Sequence, residues 1–178
     1  MVEDRLLIFR CKHGSRAAFR RIYEKYESDL RTLAANLLDD KAAAEDVVHD
    51  VFVSLLQVVD KFELRSSLVG YLKTCVANRS RDYVRTRQQQ TAAINDAEQR
   101  IPSDDGPVHL VIKSEELQKL GSAMSQIPYE QREAIVLRLH GQMKLKTIAN
   151  MQNVSIKTAH SRYRAGIEGL KLILNSEV

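Results

Sequence analysis

The sequence predicts an all-α chain made of two small helical domains joined by a flexible linker, and three observations carry that expectation. The 178 residues include no Trp, three Pro and seven Gly, and good helix formers are abundant. Apolar residues recur with helical period through most of the chain. Between residues 89 and 111 that period fails, because QQTAAINDAEQRIPSDDGPVHLV is polar and holds two of the three prolines. An irregular stretch of that length is uncommon inside one compact domain. It is therefore read as a linker between domains at 1–88 and 112–178.

The elements follow in order. Ala18, Phe19, Ile22, Tyr23, Tyr26, Leu30, Leu33 and Leu37 mark the first helix, with Gly14 and Ser15 as break and N-cap before it. A second helix is expected from about Lys41 to Asp60, capped by Asp39 or Asp40. A third begins at Ser66 or Ser67 and runs through YLKTCVANRSRDYVR to about Gln88. Beyond the linker, helices are expected at about 112–125, at 128–140 with Pro128 in the first turn, at 144–152 and at 155–175.

Composition narrows function. No apolar run is long enough to span a bilayer, the longest candidate being the charge-flanked LLIFRC at 6–11, so a cytoplasmic protein without membrane insertion is expected. Cys11 and Cys75 form no CxxC pair and have no ligand-spaced histidines, which leaves them as buried free thiols. The net charge of +4 is small, but its distribution is uneven. Residues 39–60 carry six acids and one Lys, residues 61–87 seven cations against two acids, and residues 138–171 seven against one. An acidic block followed by two basic blocks is the footprint of a protein that meets nucleic acid in two places, with solvated helix faces as the plain alternative.

The last pair of helices has the pattern of a helix-turn-helix. In LKTIANMQNVSIKTAHSRYRAG, Ala149 is the small residue that allows close crossing, and Asn153 tolerates the positive φ of the turn. Ser155 then caps a helix presenting Lys157, Thr158, His160, Ser161, Arg162 and Arg164, all able to donate to phosphates or base edges. A basic solvated helix in an ordinary bundle is the competing reading.

AEDVVHDVF, residues 44–52, raises a different question, since it mixes three carboxylates and a histidine with apolar residues. At about 100° per residue, Val47, Val48, Val51, Phe52, Leu55, Leu56 and Val59 form one apolar face. Glu45, Asp46, His49, Asp50 and Gln57 gather opposite, around Val53. Asp46 and His49 have the spacing of a helical di-metal motif, but that site needs a second copy. The residues three places before the other histidines are Arg10, Gly106, Leu137 and Lys157. No metal, cofactor or catalytic residue is therefore expected. An apolar residue ringed by carboxylates instead suits docking of a basic partner helix.

With these residues in hand the chain resembles bacterial sigma factors of the extracytoplasmic-function type, group 4 of the sigma-70 family, over nearly its whole length. GSRAAFRRIYEKY at 14–26 resembles the opening of the family's region 2, and AEDVVHDVFVSLL at 44–56 its most characteristic motif. FELRSSLVGYLKTCVANRSRDYVR at 62–85 resembles the segment that reads and helps melt the −10 element. IPYEQREAIVLRLHGQMKLKTIANMQNVSIKTAHSRYRAGIEGL at 127–170 resembles region 4, which reads the −35 element.

The resemblance implies a transcription initiation factor, not an enzyme, that binds core RNA polymerase and directs it to promoter DNA. It assigns Glu45, Asp46, Asp50, Val53 and Gln57 to the clamp helices of the largest polymerase subunit, and region 4 to the β-subunit flap as well as DNA. It assigns Ser66, Ser67, Asn78, Arg79, Arg81 and Arg85 to the −10 side, with N-capping an equal use of the two serines. Lys157, Thr158, His160, Ser161, Arg162 and Arg164 fall on the −35 side, and Tyr71, where the family usually has Trp, is read as core. An anti-sigma protein is a further partner such a factor can have.

The chain departs from the family at His49, usually Gln, at the Glu63-Leu64-Arg65 turn, and at Gln152-Asn153, usually Leu-Gly. Arg164 falls one residue before the family's usual second arginine. A stand-alone helix-turn-helix regulator is the alternative function, but it leaves the first domain without a purpose and requires a dimer matched to paired half-sites.

Overall fold

The computed structural model describes residues 2–38, 40–64, 67–95 and 115–176. Within them every regular element is helical, and the chain divides into two units, Met1–Gln99 and Arg100–Val178.

The first unit holds α1 (Val2–Lys12), α2 (Arg16–Leu38), α3 (Lys41–Val58), a 3-10 turn (Val59–Lys61) and α4 (Leu68–Asn95). The central helix is α2, packed against α1, α3 and α4. Its buried residues Ile22, Tyr26, Leu30, Leu33 and Leu37 step by three or four along the chain and line one face. Val51 and Leu55 of α3 and Leu68, Leu72 and Val76 of α4 complete a fully buried core. Truncating one of these leucines to Ala costs about 2–5 kcal/mol. Tyr23 sits at the rim, its ring tilted at 50° against Phe52 with centroids 4.7 Å apart.

Helix α1 escapes the periodicity of the sequence. Asp4 takes one of its core-facing positions beside Leu7, Ile8 and Cys11, while Val2, Leu6 and Phe9 are exposed. The carboxylate is satisfied, accepting from Lys25 Nζ at 2.8 Å and Tyr26 Oη at 2.7 Å. Gly14, at φ 79°, ends the helix. The N–H groups of Gly14 and Ser15 return to the Cys11 and Arg10 carbonyls at 2.9 and 3.0 Å, a Schellman closure. Ser15 Oγ then accepts from the Ala18 N–H at 3.3 Å and caps α2, as expected.

Helix α4 runs seven residues beyond the expected end at Gln88, through Asn95. The sequence QQTAAIN contains neither Gly nor Pro, so nothing in it stops propagation once the preceding turns are packed. The first part of the expected linker is thus helical. Its remainder, with the start of the next expected helix, lies outside the described residues, as do Asp39, Arg65 and Ser66.

The second unit holds α5 (Glu115–Gln126), α6 (Tyr129–Leu139), α7 (Leu145–Met151) and α8 (Ile156–Ser176). Helix α8 packs on the other three. Ala123, Ile127, Ile135 and Leu170 form the core, flanked by Met124, Tyr163, Ile167, Ile173 and Leu174. Gly166 permits the close crossing of α8 over α6: a Cβ there would lie 2.7 Å from Ile135 Cδ1 and 3.2 Å from the Gln131 carbonyl oxygen.

Candidate docking and nucleic-acid surfaces

Helix α3 is capped by Asp40, whose carboxylate accepts from the Ala43 N–H at 3.0 Å. Ala43, Ala44, Val47, Val48, Val51, Phe52 and Leu55 are buried. Glu45, Asp46, His49, Asp50 and Gln57 are exposed, and Val53 is half-buried among them. One residue corrects the expected apolar face: Leu56 is 47% exposed. It follows Val53 by three and His49 by seven, so it stands with them on the outer face and not in the core. The outward patch is therefore an apolar pair, Val53 and Leu56, rimmed by carboxylates. Leu56 was hidden in the sequence by its neighbour Leu55 at the edge of the buried stripe.

Helix α4 lies beside α3, and part of the opposite charge of the two blocks is matched across that seam. Arg79 donates from Nη1 to Asp50 Oδ2 at 3.1 Å and from Nη2 to Ser54 Oγ at 2.5 Å. Asp40 faces Tyr83 Oη at 3.4 Å and Arg87 Nη1 at 3.8 Å. Asn78 and Arg85 are exposed, Arg79 and Arg81 half-buried, and Arg85 stands 3.3 Å from Asp82 on its own helix. Lys73 is buried against Asp29 at 3.0 Å, so this cation of the basic block braces α2 to α4.

Ser67 is half-buried ahead of α4, its Oγ accepting from the Gly70 N–H at 3.4 Å and its carbonyl from the Tyr71 N–H at 3.1 Å, which is capping geometry. Ser66 lies outside the described residues. Tyr71 is half-buried, its ring tilted at 53° against Phe62 with centroids 4.7 Å apart. Cys11 is buried but Cys75 only half-buried, which corrects the expectation for the second thiol. Burial raises the pKa of Cys75 above the ordinary thiol value, more than Tyr71 and the nearby Arg79 lower it, and burial alone raises Cys11.

In the second unit, α7 closes with the geometry a helix-turn-helix demands. Asn153 adopts φ 52°. The N–H groups of Asn153 and Val154 return to the Asn150 and Ala149 carbonyls at 3.2 and 3.0 Å, and Ala149 is buried. Ser155 caps α8, accepting from the Thr158 N–H at 3.0 Å, and the two hydroxyls share a further hydrogen bond at 2.8 Å. Along the outer side of α8, Lys157, Thr158, His160, Ser161 and Arg164 are exposed, and Arg164 lies 3.8 Å from Glu168. Arg162 is half-buried, correcting the expectation of full exposure, and donates from Nη1 to Gln152 Oε1 at 3.0 Å. The amide of Gln152 in turn donates to Glu133 Oε2 at 2.8 Å and to the Glu130 carbonyl at 3.0 Å.

Among the described residues no cluster of His, Cys, Asp and Glu is suited to a metal ion, and no helix is long and apolar enough to cross a membrane. The described residues present an acid-rimmed apolar patch on α3 and cationic side chains on α4 and α8.

Residues 22–90 match the family described as Sigma-70 region 2. The RNA polymerase sigma factor CarQ of Myxococcus xanthus is 24% identical over 166 residues, 93% of this chain and 94% of that protein. The ECF RNA polymerase sigma factor SigW of Bacillus subtilis is 21% identical over 169 residues, 90% of each chain. In fold, the chain resembles sigma factor RpoE of Bartonella quintana, solved in complex with the anti-sigma factor NepR, at TM-score 0.71 and 24% identity over 88% of this chain and 96% of that one. It also resembles CnrH, solved with the cytosolic domain of CnrY, at TM-score 0.67 and 21% identity over 99% of each. Over nearly its whole length the chain is thus similar to RNA polymerase sigma factors.

Proposed function

We propose that the chain binds core RNA polymerase through the outer face of α3 and directs it to promoters, with α4 reading the −10 element and α7–α8 the −35 element. In this reading residues 1–88 dock and open DNA, 89–111 link, 112–178 bind duplex, and the protein is a group 4 factor acting in the cytoplasm by recognition, without catalysis. The outward pair of half-buried Val53 and exposed Leu56, rimmed by Glu45, Asp46, Asp50 and Gln57, carries the docking assignment. An apolar pair ringed by carboxylates is a surface that a basic partner helix would cover. The clamp helices of the largest subunit would meet it with basic residues, the β-subunit flap would meet the second unit, and an inhibitory protein of the anti-sigma class would compete for the same surfaces.

On the −10 side, Asn78, Arg79, Arg81 and Arg85, with Ser66 and Ser67 ahead of them, track and capture the single strand. On the −35 side, Lys157, His160, Ser161 and Arg162 enter the major groove, with Thr158 and Arg164 toward the backbone. A paired Asp46→Arg and Asp50→Arg substitution should abolish co-purification with core polymerase while circular dichroism stays unchanged; retained binding would overturn the docking assignment. Promoter DNA should be bound specifically only with polymerase present. Tight, specific gel shifts by the chain alone would favour a stand-alone regulator.

A further inference from the structure

Gln152 ends α7 with an amide held from both sides. Its Nε2 faces two acceptors, Glu133 Oε2 at 2.8 Å and the Glu130 carbonyl at 3.0 Å, and its Oε1 faces Arg162 Nη1 at 3.0 Å. Only one orientation satisfies all three contacts. With the amide turned over, its oxygen would face a carboxylate and a carbonyl, and its N–H groups would face a guanidinium that can only donate. Glu133 is 1% exposed on α6 and so provides an immobile anchor. Its carboxyl oxygen and the Glu130 carbonyl order the amide, and the amide orders the guanidinium one step further out.

We propose that Gln152 is a positioning residue for upstream promoter recognition: it fixes the guanidinium of Arg162 on the recognition helix and thereby sets which base pair or phosphate that cation meets. The inference rests on the reading of α7–α8 as the −35 element. An arginine fork discriminates only when its plane is aimed, because bidentate donation to a guanine edge or a phosphate is directional. A long side chain already ordered before binding also loses less freedom on binding. Arg162 is half-buried while Lys157, His160, Ser161 and Arg164 are exposed, and its contact with Gln152 constrains its direction from a neighbouring helix end. A leucine at position 152, the residue that the resembling family usually carries there, would offer neither the acceptor for Arg162 nor the donor for Glu133.

The test uses the full-length factor with core polymerase. Run-off initiation is measured on promoters mapped from genomic fragments, each upstream element in native form and with single-base substitutions. Arg162→Ala should lower initiation on the native elements about tenfold. Gln152→Leu should lower it by about threefold to tenfold and flatten the preference among substituted elements. In the Arg162→Ala background, Gln152→Leu should change nothing further, because its only route to DNA has been removed. Independent, multiplying losses, or an unaltered base preference in Gln152→Leu, overturn the proposal. Partial unfolding of the second unit would show as such a multiplying loss, so it too counts against it. An Arg162→Ala factor that initiates normally overturns this inference together with the −35 reading of α7–α8. A loss in Arg162→Ala with none in Gln152→Leu overturns the inference alone.

Discussion

Arg79 of α4 holds Asp50 of α3 at 3.1 Å, so a cation assigned to the −10 side neutralises an anion assigned to polymerase docking. The two side chains are 40% and 60% exposed, and a pair this open is worth about 0.2–1 kcal/mol. A basic partner helix must displace or share with Arg79 to reach the carboxylate. Arg79→Gln should therefore tighten core polymerase binding, by up to about fivefold at low ionic strength. The gain should shrink as salt rises. Affinity measured by fluorescence anisotropy at two salt concentrations checks this, and weaker binding would make Arg79 a brace for the docking helix instead of a competitor.

Leu56 gives the cleanest separation of docking from folding. Because its side chain already meets solvent, Leu56→Glu should shift the unfolding free energy by no more than about 0.5 kcal/mol. At the centre of a docked patch the same change buries an unpaired carboxylate and should cost polymerase affinity about thirtyfold or more. Thermal unfolding and polymerase pull-down on one preparation decide it. A large drop in Tm would return Leu56 to the core.

What the sequence made legible follows from how directly each feature maps onto a period or a cap. Helix α2 announces itself through an unbroken stripe from Ala18 to Leu37, and Ser15, Asp40 and Ser155 stand where capping chemistry requires. Helix α1 was invisible because Asp4, paired with Lys25 and Tyr26 from the next helix, occupies a core position that a periodicity argument scores as surface. Leu56 was misplaced for the converse reason, an apolar residue turned outward. The Arg79–Asp50 and Glu133–Gln152–Arg162 contacts join residues 19 or more positions apart except for the last step, and no local pattern encodes them.

Asn153 sits at φ 52° at the turn of the helix pair. Left-handed backbone costs a Cβ-bearing residue about 1–2 kcal/mol, least for Asn and nothing for Gly. Asn153→Gly should thus hold or raise the stability of the chain, whereas Asn153→Val should lower it by about 1 kcal/mol or more and blunt −35-dependent initiation in parallel. Denaturant unfolding of the full chain measures the first effect and run-off transcription the second. Equal stability of the two variants would mean that the turn relaxes out of the left-handed region.

Asp4 makes the stability of the first unit depend on acid in a defined direction. Burial raises its pKa, but the hydrogen bonds from Lys25 and Tyr26 outweigh that effect and hold it below the ordinary 3.8. A carboxyl whose folded pKa is depressed takes up its proton more readily when unfolded, so it stabilises the fold above the unfolded value and loses that contribution as pH falls through the folded one. Asp4→Asn keeps the shape and an acceptor for Tyr26 but removes the charge that Lys25 meets at 2.8 Å. The substitution should cost about 1–3 kcal/mol at pH 7. The gap between parent and variant should stay level down to about pH 5 and close progressively below about pH 4. Urea unfolding across that range measures it directly; a gap that persists unchanged at pH 3 would show that the Asp4 carboxylate contributes through shape and not through charge.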